Sequence, residues 1–222
     1  MLILGITSST ARVGVAVGRI DADGSVAVLA ETTSASDRRH AEDVTPLMLQ
    51  ALERAGVTLQ EIGRLAVDVG PGRFTGLRVG LSTVRALALA LDLRVTGVSS
   101  LELLAAEQGP SEDAPVAAVI DARRNEVFQQ IYGYECALGA PVVGVASALA
   151  PMVPRNAVAV GDGADRYLAL YGERVEVKQG REPSPSWLVR LAATRPALDA
   201  AMVKPLYLRD PDVQINIRTR HS

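Results

Sequence analysis

Between Asp68 and Leu91 the chain runs DVGPGRFTGLRVGLSTVRALALAL, and this stretch limits the available folds more than any other. Gly70, Pro71, Gly72 and Gly76 crowd into one short loop, and an apolar run follows at once. Arg64–Val69 reads as a buried strand, residues 76–91 as a helix, and the glycines as the sharp turn joining them. In that helix Arg78 and Arg85 are the only charges, and leucine, valine and alanine go nearly round the axis. A helix apolar on every side must be covered on every side.

The preceding residues say what covers it. Residues 2–6 (LILGI) form an apolar strand, Val13, Val15 and Val17 alternate with small residues, and DADG at 21–24 signals a hairpin into a strand at 26–31. A helix follows over 43–55, with Val44, Leu47, Met48, Ala51 and Leu52 at helical spacing, Pro46 near its start and Gly56 as its stop. A strand at 94–98 and a helix from Ser99 or Ser100 through Ala106 complete the order βββαβαβα. A meander followed by α/β alternation is the pattern of a ribonuclease-H-like subdomain, as in actin-like ATPases and sugar kinases; this is fold analogy and does not settle function. GPSEDAP at 109–115 marks the boundary. Beyond it come strands near 116–121, 126–132 and 157–160 and helices near 164–171 and 185–194, so the second half could be a shortened copy of the first. The expected divisions are 1–108, 109–208 and a polar, mobile tail at 209–222.

The possible active sites are mostly excluded by residue type. The loop at Gly70, Gly72, Arg73, Thr75 and Gly76 lacks the Gly-Lys-Ser/Thr ending of a P-loop and the G-x-G-x-x-G spacing, which leaves a structural turn or a weak anion contact. The turn Thr7–Thr10 offers hydroxyls where a hard cation wants a carboxylate. The two histidines, His40 and His221, are not spaced as a metal pair, and His40, Glu42 and Asp43 read as a solvated helix start. No G-x-S-x-G is present, and Cys136 has no nearby histidine. A net charge of -2 and 4% aromatic residues argue against a chain that grips nucleic acid alone. One cysteine fits a reducing cytosol, no signal peptide is evident, and no apolar run is long enough to cross a membrane. The feature left over is apolar helix surface. A partner could cover it, with Val44, Leu47, Met48, Ala51, Leu52, Leu77, Leu81, Val84, Arg85 and Ala88 as the candidate interface.

GPGRFTGLRVGLSTVRALALAL, VTGVSSLELLA, DARRNEVF and PLYLRDPDV, in that order over nearly the whole chain, closely resemble the bacterial TsaB (YeaZ) family. The resemblance implies two actin-like subdomains and a cytoplasmic, non-catalytic subunit. It implies a helical interface to the paralogue TsaD, which transfers threonylcarbamoyl to an adenosine beside the tRNA anticodon, and a third member, the ATPase TsaE. It also implies a homodimer through the same surface when alone, only indirect contact with tRNA, and no cofactor on this subunit, although the complex uses ATP. The family's first strand usually ends in Asp-Thr-Ser, and Thr7 stands here in the aspartate's place. The rival readings are an actin-like small-molecule kinase or ATPase and a glycoprotease-type peptidase.

Overall fold

The computed structural model describes residues 1–34 and 40–209, with side chains from Asp43 onward in the first helix. The first half is a five-stranded sheet. β1 (Leu2–Thr7), β2 (Gly14–Ile20) and β3 (Val26–Thr33) pair antiparallel. α1 (His40–Ala55) leads through a 3₁₀ turn to β4 (Ile62–Asp68), which lies parallel to β1. α2 (Phe74–Leu91) leads to β5 (Val95–Val98), parallel to β4, and α3 (Ser100–Gln108) follows. The sheet order is β3-β2-β1-β4-β5.

The second half repeats this order. β6 (Val116–Arg123), β7 (Glu126–Tyr132) and β8 (Val142–Val145) form the meander. α4 (Ala146–Leu149) leads to β9 (Val158–Val160), and α5 (Asp162–Arg166) and α6 (Leu168–Gly172) lead to β10 (Glu176–Lys178). β9 is parallel to β6 and β10 to β9, in the order β10-β9-β6-β7-β8. The expected helix at 164–171 is thus two short helices broken at Tyr167, whose backbone leaves the helical region at φ -108 and ψ 36. α7 (Pro185–Ala193) closes the order, with the Ser184 hydroxyl accepting from the Trp187 N–H at its start.

Each strand of the first sheet sends alternate side chains to two cores. Leu4 and Ile6 pack with Val44, Ala51, Leu81 and Val84 under α1 and α2. Ile3, on the opposite face, packs with Leu188, Val189 and Ala192 of α7. The helices therefore cross between halves. α3 puts Leu101, Leu104 and Ala105 on the second sheet and Leu103 on the first, while α7 belongs in sequence to the second half and covers the first sheet. The 108/109 boundary separates the sheets, but the cores on either side borrow each other's helices.

Three expectations change. α1 begins at His40 with Pro46 inside it, so one bond of the helical ladder is missing rather than a turn shortened. α2 has, by length and composition, what a membrane span requires despite its two arginines. Its inner side, however, lies on β1 and β4, which is the setting of a core helix. Arg209, expected in the mobile tail, is held: its guanidinium donates to the Ala122 carbonyl and pairs with Glu126. Arg218, Arg220 and His221 lie outside the described residues, as do the His40 and Glu42 side chains.

Candidate functional site

The loop between β4 and α2 is built against the first turn of the chain. The Gly70–Pro71 peptide is cis. A Cβ on Gly72 would stand 2.2 Å from the Ser9 carbonyl oxygen, so only glycine lets the loop lie there. Gly80 is as tightly placed, with the Ser8 hydroxyl 2.3 Å from where its Cβ would be. Hydrogen bonds join the same surfaces: Arg73 N–H donates to the Ser9 carbonyl (2.6 Å) and the Ser8 hydroxyl to the Gly76 carbonyl (2.9 Å).

This arrangement engages two of the loop's backbone donors within the chain. The Gly70 N–H donates to Asp68 Oδ1 (2.9 Å), and the Arg73 N–H is taken by Ser9. Thr7 to Thr10 are buried, with the Thr7 hydroxyl turned back on Gly14. Asp68 itself is fully buried at the end of β4. Its Oδ1 also accepts from the Ser100 hydroxyl, tying the loop to the start of α3. Burial pushes this carboxyl above its usual range, against the hydrogen bonds from Ser100 and the Gly70 backbone. Asp68 carries no signal of this in the sequence, because a carboxylate before a glycine loop looks like ordinary turn chemistry.

The cleft between the sheets, where the strand ends meet, carries acids. Asp162 Oδ1 accepts from the Asp121 N–H (2.9 Å), and burial raises Asp162 to about 6. Asp121 faces Arg123 at 3.4 Å and Arg166 at 3.6 Å. A polar cavity of about 180 Å³ lies between the Thr7–Gly14 turn and the 180–185 segment, with Glu31, Glu107 and Glu182 in its lining. Burial raises Glu107 and Glu182 too. Arg12 lines the same cavity, and Arg181 pairs with Glu107. Among the described residues no group of three or more His, Cys, Asp or Glu side chains is arranged to hold a metal ion.

The outer side of α1 and α2 is the other candidate. Both helices lie side by side on one face of the first sheet. Of the residues the sequence offered for a partner, Val44, Met48, Ala51, Leu52, Leu77, Leu81, Val84 and Ala88 are buried inside the chain, none more than 6% exposed. Leu47 is half-buried, and Arg85 is exposed. The apolar stripe marks the side that packs on the chain's own sheet, so the surface open to a partner is the opposite one. There Leu49 is 58% and Leu89 88% exposed, with Ala86 and Ala90 beside Leu89 on α2. α2 is not apolar all round: Thr75, Arg78, Ser82 and Arg85 share this outer side. Of the loop candidates, Gly70 and Gly76 are buried, Gly72 and Arg73 half-buried, and Thr75 exposed.

The segment after α7 runs back over this region. Leu198 pairs with Val95 at the β5 edge, Arg85 donates to the Val203 carbonyl (2.8 Å), and the Leu206 N–H donates to the Val69 carbonyl (2.7 Å). Tyr207 then stacks at 5.4 Å on Phe74, over whose ring Arg78 lies at 3.7 Å. No pattern in the sequence signals this cluster, because Tyr207 lies far along the chain from Phe74 and Arg78.

Two sheets of the same order, exchanging helices across a cleft, define a two-lobed ribonuclease-H-like, actin-like ATPase fold. Residues 27–146 match the family model of TsaD, tRNA N6-adenosine threonylcarbamoyltransferase. The chain is 30% identical to the tRNA threonylcarbamoyladenosine biosynthesis protein TsaB of Bacillus subtilis, over 94% of each chain. It is 37% identical to an uncharacterized protein of Mycobacterium tuberculosis, over 84% of this chain and 83% of the other. The solved structure of YeaZ from Pseudomonas aeruginosa superposes with a TM-score of 0.77 at 28% identity, over 93% of this chain and all of that one. The chain belongs to the TsaB (YeaZ) family.

Proposed function

We propose that this chain takes part in making threonylcarbamoyladenosine in tRNA as a non-catalytic scaffold and activator. It binds a TsaD-type transferase through the outer side of α1 and α2, and with it the ATPase TsaE. Alone, it pairs with a second copy of itself by the same side. It works in the cytoplasm, binds no cofactor of its own, and meets tRNA only through the complex, which uses ATP. The observation that carries this reading is the exposed apolar side of the helix pair, with Leu49 and Leu89 standing in water. Family membership supports it, and so does a glycine loop seated on the chain's own first turn, with its Gly70 and Arg73 N–H groups engaged within the chain.

Reconstitution tests it. The purified chain is mixed with the TsaD-type transferase and TsaE of the same organism, and transfer to tRNA is followed with ATP present. Transfer should depend on this chain, and a complex should form at micromolar concentration. Full transfer without the chain, or magnesium-dependent ATP turnover by the chain alone, would contradict the reading.

A further inference from the structure

A groove of about 570 Å³ runs between α2 and the returning segment at Pro205 and Tyr207. Val79, Leu81 and Pro205 give it an apolar lining, and Phe74 and Tyr207 an aromatic one. Arg78 and Arg85 supply its charges, and no carboxylate lines it. That is unusual for a chain whose net charge is -2 and whose cleft on the other side of the loop is acidic.

Both guanidinium groups are held in place. Arg78 lies 3.7 Å over the Phe74 ring, and Arg85 donates to the Val203 carbonyl at 2.8 Å. An arginine fixed by a ring or a carbonyl keeps N–H groups free to point outward and loses little freedom when a carboxylate arrives. Aromatic anchors beside fixed arginines are also the composition of binding hot spots. The groove adjoins the exposed apolar side of α2, so an occupant of that side would reach it.

We propose that this groove receives an acidic, partly apolar segment of the protein partner, a carboxylate meeting Arg78 and Arg85 while an apolar neighbour enters between Phe74 and Tyr207. This rests on the proposed partnership and adds the chemistry that selects the partner. It also gives the 203–207 segment a role: that segment forms one side of the recognition groove, and the contact does not belong to helices alone.

The test is affinity for the TsaD-type transferase of the same organism, measured by calorimetry at low and high salt. The variants are Arg78→Glu, Arg78→Lys, Tyr207→Ala and, outside the groove, Leu89→Glu. Arg78→Glu should weaken binding by about tenfold or more and remove most of its salt dependence, since complementary charge both orients and holds the pair. Arg78→Lys should lose less, because the charge remains and only the fork is lost. Tyr207→Ala should weaken binding without changing the salt dependence. All these side chains are exposed, so the thermal transition of each variant should match the parent. If Arg78→Glu binds as the parent does while Leu89→Glu fails, the groove is not the recognition site, although the partnership stands. If Arg78→Glu disturbs only self-association, the occupant is a second copy and the proposal falls. If Arg78→Glu loses a mononucleotide or tRNA fragment but keeps the transferase, the groove serves phosphate and the proposal again falls. If the parent chain itself does not bind, the partnership and the groove assignment fail together.

Discussion

Two leucines on one helix should respond oppositely to truncation. Leu81 is 4% exposed and packs in the core with Leu4, Ile6 and Val84, whereas Leu89, two turns on, is 88% exposed. Leu81→Ala removes buried methyl groups and leaves a cavity, which costs about 2–5 kcal/mol. Leu89→Ala removes nothing from the core and gives the helix its best former, so the isolated chain should change by less than about 0.5 kcal/mol. In the complex the order reverses. Burying Leu89 against a partner is worth about 1.5–3 kcal/mol, which its loss converts into roughly a ten- to hundredfold weaker dissociation constant. Urea unfolding reads the first effect and calorimetric titration with the transferase the second. Self-association would add a concentration-dependent term, so unfolding is measured at two protein concentrations. Leu89 is not a free interface residue if Leu89→Ala unfolds the dilute chain as readily as Leu81→Ala, or if it binds the transferase with unchanged affinity.

Two further perturbations probe the loop. Gly72→Ala places a Cβ 2.2 Å from the Ser9 carbonyl oxygen, and backbone must move to admit it. It should cost about 1–3 kcal/mol in urea unfolding, and a neutral result would mean the loop is not seated on the first turn. Asp68→Asn should change the pH dependence of stability. Burial raises the carboxyl of Asp68 in the folded chain, so the folded state holds its proton more tightly than the unfolded state. That contribution is fully present below the unfolded value near 3.8 and is lost as pH rises through the folded value. The asparagine variant should therefore gain on the parent as pH rises above the unfolded value near 3.8. A difference that stays flat as pH rises would show that Asp68 ionises freely in place.

The fold was legible wherever pattern and punctuation agreed. Alternation in Val13, Val15 and Val17, the DADG turn and the spacing from Val44 to Leu52 placed the meander and α1 close to where they lie. β8 and β10 escaped notice because four and three residues are too few to show a period, and both lie at sheet edges. The exchange of α3 and α7 escaped for a different reason: periodicity names the apolar side of a helix and not the sheet it will cover. The same limit explains the interface candidates. Leu77, Leu81 and Val84 are apolar at helical spacing, and that spacing selects the side facing the chain's own core. Leu89 marks the free side, yet in the sequence it is one more leucine among several. Asp68 and the Phe74–Tyr207 stack depend on contacts made through folding, Phe74 meeting a residue that the chain brings back from beyond α7.

The proposed activation of a transferase by the outer side of α1 and α2 can be read from the rate of threonylcarbamoyl transfer to tRNA in the reconstituted system, with the parent chain replaced by the Leu49→Glu, Leu89→Glu double variant. Both positions are exposed, so the isolated variant should keep the parent's thermal transition. Transfer should fall to the level seen with no chain added. Transfer at the parent's rate by a folded double variant would contradict it.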